Sequence, residues 1–391
     1  MRIGPEEVKK KRQLSDNSFD PWVEIIAAAI QNNVREVYRF ANKARILFVV
    51  KNNAYGLGLQ AVGPIVDEMD EVYGYAVVRV DEALALREIG VRKPILLMAH
   101  VCQSDAEELV RQDVMLTLFH DNAKEQIESL AKKLNRPVPV QLYIETGMNR
   151  IGMPYERALP WIEELAASKA IKIAGTYTMT AGAKRGDVSF DDVQLERFMN
   201  VIEQSRKKGI DTGVLHAAPS RMIVKTPASH QLGIVRPGHV IFGGAIYNFD
   251  EDGNRIMNLE LTFRLKARVV RVENVREGEG VSFGHRYIAK KPTWIATIPI
   301  GHTDGYPCSG ANNADVLIGG KVYPIIVGGV NANFILAEIG ENRTVNVGDI
   351  ATVIGTDHPD IAPQSVAEKA GLDYDYWIMT KLNPLLHRKV V

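Results

Sequence analysis

Between residues 46 and 242, short apolar runs alternate with amphipathic or polar stretches in a regular beat. The runs are Ile46–Val50, Tyr73–Val78, Pro94–Ala99, Val114–Phe119, Val138–Ile144, Ile171–Thr178, Gly213–His216 and Ile234–Phe242, each of strand length. Between them lie segments of helical spacing, among them Asp81–Gly90, Asp105–Arg111, Tyr155–Ser168 and Asp192–Gly209. Eight strands alternating with helices predict a (β/α)8 barrel of the TIM type, although a doubly wound open sheet gives a similar count. Ahead of the first run, residues 1–21 read as a polar arm. Trp22–Lys43 reads as one amphipathic helix, with Val23, Ile26, Ala27, Ile30, Val34 and Val37 on a single stripe. After about Asp250 the beat changes. Leu259–Val275, Trp294–Ile300, Val316–Gly319, Val322–Val327, Asn333–Ile339 and Ile350–Gly355 read as strands rich in Val, Ile and Thr, cut by glycine turns. The expected layout is a barrel domain over 22–250 and an all-β domain over 251–391.

A chain of 391 residues has ample material for two such domains. Lys+Arg and Asp+Glu are equal at 47 each, so no charge excess points to nucleic acid or an anionic membrane. The two cysteines, Cys102 and Cys308, are far apart, show no metal-type spacing and fit a reducing compartment. Met1–Asp16 is highly charged and lacks the apolar core of a signal peptide, and no apolar run is long enough to span a bilayer. A soluble, cytoplasmic protein is expected.

Candidate chemistry sits where the predicted strands end, since barrels carry their active sites at the C-terminal strand ends. Lys51 follows the first strand directly. An ammonium there either snorkels to solvent or is used covalently, as lysine is with pyridoxal phosphate. Arg150 follows the fifth strand, and Met179 ends the sixth. Ser220 follows the seventh in His216-Ala217-Ala218-Pro219-Ser220, and Arg236-Pro237-Gly238-His239 interrupts the eighth. The loops after the last two strands are where barrels commonly hold phosphate, for which a serine hydroxyl and free backbone N–H groups are suitable donors. Ser220 reads equally as a helix N-cap.

The stretch Lys51-Asn52-Asn53-Ala54-Tyr55-Gly56 closely resembles the cofactor-lysine motif of the alanine racemases, and the likeness extends from Trp22 onward. Glu145-Thr146-Gly147-Met148-Asn149-Arg150-Ile151-Gly152 is similar to that family's arginine loop. Val235-Arg236-Pro237-Gly238 is similar to the segment that brings an arginine to the cofactor's pyridine nitrogen. The resemblance implies that Lys51 holds pyridoxal 5'-phosphate as a Schiff base, and that Tyr55, Ser220, Gly238, His239 and Tyr376 hold its phosphate. Arg236 would face the ring nitrogen and keep it unprotonated, with Met179 and His216 beside the cofactor. Val281-Ser282-Phe283-Gly284 and the segment Ile298–Pro307 match parts that reach the partner subunit's barrel, which implies a homodimer with composite sites. Arg150, Asn331, Ala332 and Asn333 would line the substrate pocket.

This sequence departs from the family around one site. His302 stands where the second catalytic base is usually a tyrosine, and Met179 replaces the histidine that touches that tyrosine. Tyr143 replaces the modified lysine behind the arginine loop, and Asn331-Ala332-Asn333 replaces Cys-Met-Asp. Neutral imidazole, with a reference pKa of about 6.5, accepts a proton at pH 7 without the help a phenol at about 10 needs. His302 is therefore read as a replacement base, against the alternative that it only binds substrate or fills space. His100, His120, His230 and His285 read as surface or packing residues. The expected activity is a racemase or epimerase using Lys51 and His302 of the partner subunit on a substrate larger or more polar than alanine. An aldolase acting on β-hydroxy amino acids and a non-catalytic cofactor-binding protein are the alternatives.

Overall fold

The computed structural model describes residues 15, 17–182, 189–225, 232–244, 248, 254–309 and 313–391. The chain divides into two units, one of residues 26–262 and one that joins 1–25 to 263–391.

In the first unit the expected eight strands are present as Arg45–Val49, Val72–Val77, Ile95–Leu97, Val114–Leu118, Val138–Glu145, Ile171–Tyr177, Val214–Pro219 and Ile234–Arg236. All neighbours run parallel. Pairing of Val114–Leu118 with Val138–Glu145, and of Ile234–Arg236 with Arg45–Val49, closes the ring. The barrel is closed, and the open-sheet alternative falls away. Side chains alternate across each strand. Leu47 and Val49 join Ala76, Leu96, Met115 and Ile234 in one buried cluster, while Phe48 between them packs on Phe242 with ring centroids 5.4 Å apart. The eighth strand is shorter than the expected Ile234–Phe242. Pro237 has no N–H to continue a ladder, and the chain turns at Gly238 into a 3-10 helix over His239–Phe242.

Trp22–Ile25 is a strand and not the first turn of a helix, and the helix runs over Ala27–Phe40 only. The strand pairs antiparallel with Phe263–Arg268 and parallel with His387–Val390, so these four residues complete the second unit. Its other strands are Arg271–Val275, Gly280–Val281, Tyr287–Ile288, Thr293–Ile298, Asp315–Ile318, Lys321–Val330, Ile335–Gly340 and Ile350–Ile354. Two short helices, Pro363–Lys369 and Tyr376–Thr380, accompany them. The expected single strand Leu259–Val275 is two strands. The backbone changes partners at the break, where Val269 N–H donates to Asp349 O and Val270 N–H to Thr297 O, both at 2.9 Å. Most of the polar arm, and His230, lie outside the described residues.

Candidate active site

Val49 N–H donates to Pro237 O at 2.9 Å, so the end of the first strand is tied to the Arg236-Pro237-Gly238 segment two residues before Lys51. Past Lys51 the backbone is unusual. Asn52, Asn53, Ala54 and Tyr55 all have φ between 52° and 56°, a left-handed turn of four L-residues. Each such residue costs about 1–2 kcal/mol relative to right-handed helix, so the turn persists only because its surroundings hold it. Gly56 N–H donates to Asn52 O and Gly58 N–H to Asn53 O. Asn53 Oδ1 accepts from Leu59 N at 2.9 Å, and the carboxylate of buried Glu82 accepts from Asn53 N at 3.0 Å. Burial pulls the Lys51 ammonium below the ordinary lysine value; the like charge of Arg150 adds to this, and Glu82 opposes it.

The ends of the seventh and eighth strands form a cradle. Ser220 opens the helix Ser220–Lys225, and its Oγ accepts from Gly238 N at 3.1 Å. Tyr55 is buried against Phe242 and His239, with centroids at 5.6 and 6.3 Å. Its hydroxyl lies over Gly238, where a β-carbon would come within 2.1 Å of Oη. Ser220, Tyr55, Gly238 and His239 are thus together.

Below the cradle Arg236 is only 2% exposed. Its Nη1 donates to His216 Nδ1 at 2.6 Å and to His216 O at 2.9 Å, and its Nη2 donates to Thr178 O at 2.6 Å, with Met179 Sδ at 3.7 Å. Burial lowers the guanidinium pKa to about 10, which still leaves it charged at neutral pH. Burial and the charge of Arg236 hold His216 well below the ordinary histidine value. A neutral ring accepting at Nδ1 carries its proton on Nε2, which then donates to Gln141 Oε1 at 2.5 Å. Both nitrogens of His216 are therefore engaged, and its ring stacks on Tyr177 at 4.9 Å. The Nε of Arg236 is buried with no hydrogen-bond partner among the described residues. A donor left so in a closed site calls for an acceptor from outside the chain.

Arg150 is exposed, at the end of a loop organised from beneath. Buried Glu145 accepts N–H groups from Gly147, Met148 and Arg150. Gln194, fully buried, donates to Thr146 Oγ1 and Met179 O, both at 3.2 Å. Tyr143 is buried on the barrel side of the loop, its hydroxyl acted on by the charge of Arg150.

The other expected residues belong to the second unit. His302 opens a 3-10 turn, His302–Asp304, and is exposed. Its N–H donates to Asn331 O at 3.0 Å, and Thr303 N–H donates to Ala332 O at 3.1 Å, so the two loops are bound to each other. Gly301 is required there, since a β-carbon would stand 2.2 Å from Ala332 O. Asn331 Nδ2 donates to Ser282 Oγ at 3.1 Å and Asn333 Nδ2 to Thr303 Oγ1 at 3.0 Å, which engages both amides within their own unit. Phe283, beside Ser282, is 83% exposed. Tyr376 starts the short helix whose continuation, Lys381 and Leu382, lies against Gly305. Of the histidines read as surface or packing residues, His100 and His285 are exposed and His120 half-buried.

Three residues were not singled out by sequence reasoning: Glu82, Gln141 and Gln194. Each is buried, and each interrupts an apolar face or strand. That interruption is the available signal, because a buried polar side chain has to satisfy something.

A family model described as "Alanine racemase, N-terminal domain" matches residues 25–245, and one described as "Alanine racemase, C-terminal domain" matches 262–390. The alanine racemase of Methanococcus maripaludis is 33% identical over 86% of this chain and 89% of its own. That of Carboxydothermus hydrogenoformans is 33% identical over 93% and 97%. Among solved structures, the alanine racemase of Clostridium difficile 630 matches with a TM-score of 0.86 at 23% identity, covering 96% of each chain. The chain belongs to the alanine racemase family.

Proposed function

We propose that this racemase carries pyridoxal 5'-phosphate on Lys51, uses Lys51 and His302 of the partner subunit as its two bases, and acts on an amino acid larger or more polar than alanine. The observation that supports this most is the buried, unpartnered Nε of Arg236 between the Lys51 strand end and the Ser220–Gly238 cradle. Arg236 would meet the cofactor's ring nitrogen, and Ser220, Tyr55, Gly238 and His239 its phosphate, with Tyr376 as a further contact. Met179 would lie at the ring beside Arg236, and His216 would serve by holding Arg236 in place. When bound, the cofactor withdraws electrons from the substrate's α-carbon and makes its proton removable.

The chain's own residues do the rest. Inversion needs one base on each face of the α-carbon. The lowered pKa of Lys51 raises the share of free amine that can take or return a proton on one face. The imidazole of His302 serves the other. Arg150, presented by the Glu145-centred loop, binds the substrate carboxylate together with the backbone near Ala332. A side chain as small as that of Ala332 would leave room for a substrate larger than alanine. Asn331 and Asn333 are bonded within their own unit, so the case for a larger substrate rests on the small side chain at 332 and not on their amides. A phenylalanine as exposed as Phe283, adjoining the His302 and Asn331 loops, is what a face covered by a second subunit leaves in the free chain. Balanced charge and two free cysteines suit the cytoplasm.

The test is a panel of single-enantiomer amino acids in deuterated buffer. Exchange at the α-carbon with inversion is expected, faster for a larger substrate than for alanine. In His302→Ala, exchange on one face should fall about 10²–10⁴-fold and survive on the other. Unchanged exchange on both faces would refute the role of His302, and borohydride fixation of the cofactor on another lysine would refute that of Lys51.

A further inference from the structure

We propose that Glu82 is a positioning residue for the cofactor-bearing lysine: its carboxylate fixes the left-handed turn after Lys51 and is the counter-charge of the Lys51 ammonium while that amine is free. The inference rests on the reading of Lys51 given above and adds a residue to it.

Glu82 lies near the start of the helix Val80–Glu88 and is 5% exposed. Its two oxygens are used differently. Oε1 accepts from Asn53 N at 3.0 Å, inside the left-handed turn, and Oε2 accepts from Val78 N at 3.3 Å, just past the second barrel strand. One carboxylate therefore locks the ends of two neighbouring strands, and Asn53 passes the restraint to Leu59 through its own side chain. A buried carboxylate also needs a cation nearby. Among the described residues Glu82 forms no ion pair. The cations its charge acts on are Arg79, fully exposed and paired with Asp81, and Lys51. The charged groups acting on Lys51 are Arg150 and Glu82, of opposite sign. Glu82 thus opposes, without cancelling, the pull of burial and Arg150 toward the neutral amine.

The experiment is pH-dependent trace labelling of Lys51 with acetic anhydride in the full-length chain stripped of cofactor, read by peptide mass spectrometry. In Glu82→Gln the labelling midpoint should fall by about one pH unit, which makes labelling about tenfold faster at any pH below both midpoints. Glu82→Asp, which keeps the charge, should return most of that shift. Amide hydrogen exchange at Asn53 and Val78 should speed up in Glu82→Gln. A folded Glu82→Gln with an unmoved midpoint overturns the proposal, even if amide exchange quickens. Should Glu82→Gln fail to fold, Lys51→Arg and Lys51→Met decide the point without touching Glu82. The variant that loses the cation should melt lower at pH 8 than the one that keeps it, and equal melting overturns the proposal. Borohydride labelling elsewhere than Lys51 would remove the cofactor assignment and leave this coupling standing, so the two failures are distinct.

Discussion

Gly238→Ala strikes the cradle at its tightest point. The added β-carbon would stand 2.1 Å from Tyr55 Oη and 2.8 Å from Cζ, where ordinary contact begins at 3.4 Å. The phenol must therefore withdraw by more than an ångström. Tyr55 has little freedom to do so, being 6% exposed and packed on Phe242. Overpacking of this kind costs about 1–3 kcal/mol of stability. The larger effect falls on the cofactor. A hydrogen bond to a charged group contributes about 1.5–3 kcal/mol, so displacing the Tyr55 hydroxyl should weaken pyridoxal-phosphate binding about 10- to 100-fold. Titration of the stripped protein by absorbance, with circular dichroism as a check on folding, measures this directly. Adding Tyr55→Phe removes the closest clashing atom. The double variant should then melt higher than Gly238→Ala alone yet bind the cofactor no better. Wild-type affinity in a folded Gly238→Ala would refute the cradle.

Three further outcomes are expected. The folded-state pKa of His216 is depressed, so the unfolded chain takes up the proton first, and stability is lost as pH falls below about 6.5, at up to about 1.4 kcal/mol per pH unit. Urea unfolding between pH 7 and pH 5 should show this slope, and His216→Gln should flatten it. Gln141→Leu leaves the Nε2–H of His216 without its acceptor and should cost about 1–3 kcal/mol in the same assay, with no loss counting against the assigned tautomer. Glu145→Ala frees three backbone N–H groups of the Arg150 loop; KM should rise about tenfold or more, and unchanged KM and kcat would show that the loop does not position Arg150.

The barrel was legible because a strand buried on both faces is an apolar run of fixed length; seven of the eight runs were read within a few residues of their ends, and the eighth ran on into the 3-10 helix after Gly238. Trp22–Ile25 was not. Its residues continue the spacing of the helix that follows, and the partners that make it a strand, Phe263–Arg268 and His387–Val390, lie at the far end of the chain. Local pattern carries no information about a partner so distant. The same limit explains the break at Val269–Val270, where tertiary pairing and not composition ends the strand. In the candidate site, motifs pointed to the residues proposed to touch cofactor and substrate. The residues that hold those in place, such as Glu82 for the Lys51 turn and Gln141 for His216, act through single bonds between distant segments and carry no motif.

The pairing of the first barrel strand with the eighth bears on how the protein comes to hold its cofactor. Lys51 and Gly238 are neighbours only across that seam, where Ile234 pairs with Arg45 and Val49 donates to Pro237. The chain between them must already have gone once around the ring. Contacts this far apart in sequence are entropically the last to form, so the lysine and the cradle meet only when the barrel shuts. If Lys51 and the cradle hold the cofactor as proposed, its capture is a signal that closure is complete. Because a ligand stabilises whichever state binds it, pyridoxal phosphate should slow the reopening of the seam more than the unravelling of any strand away from it.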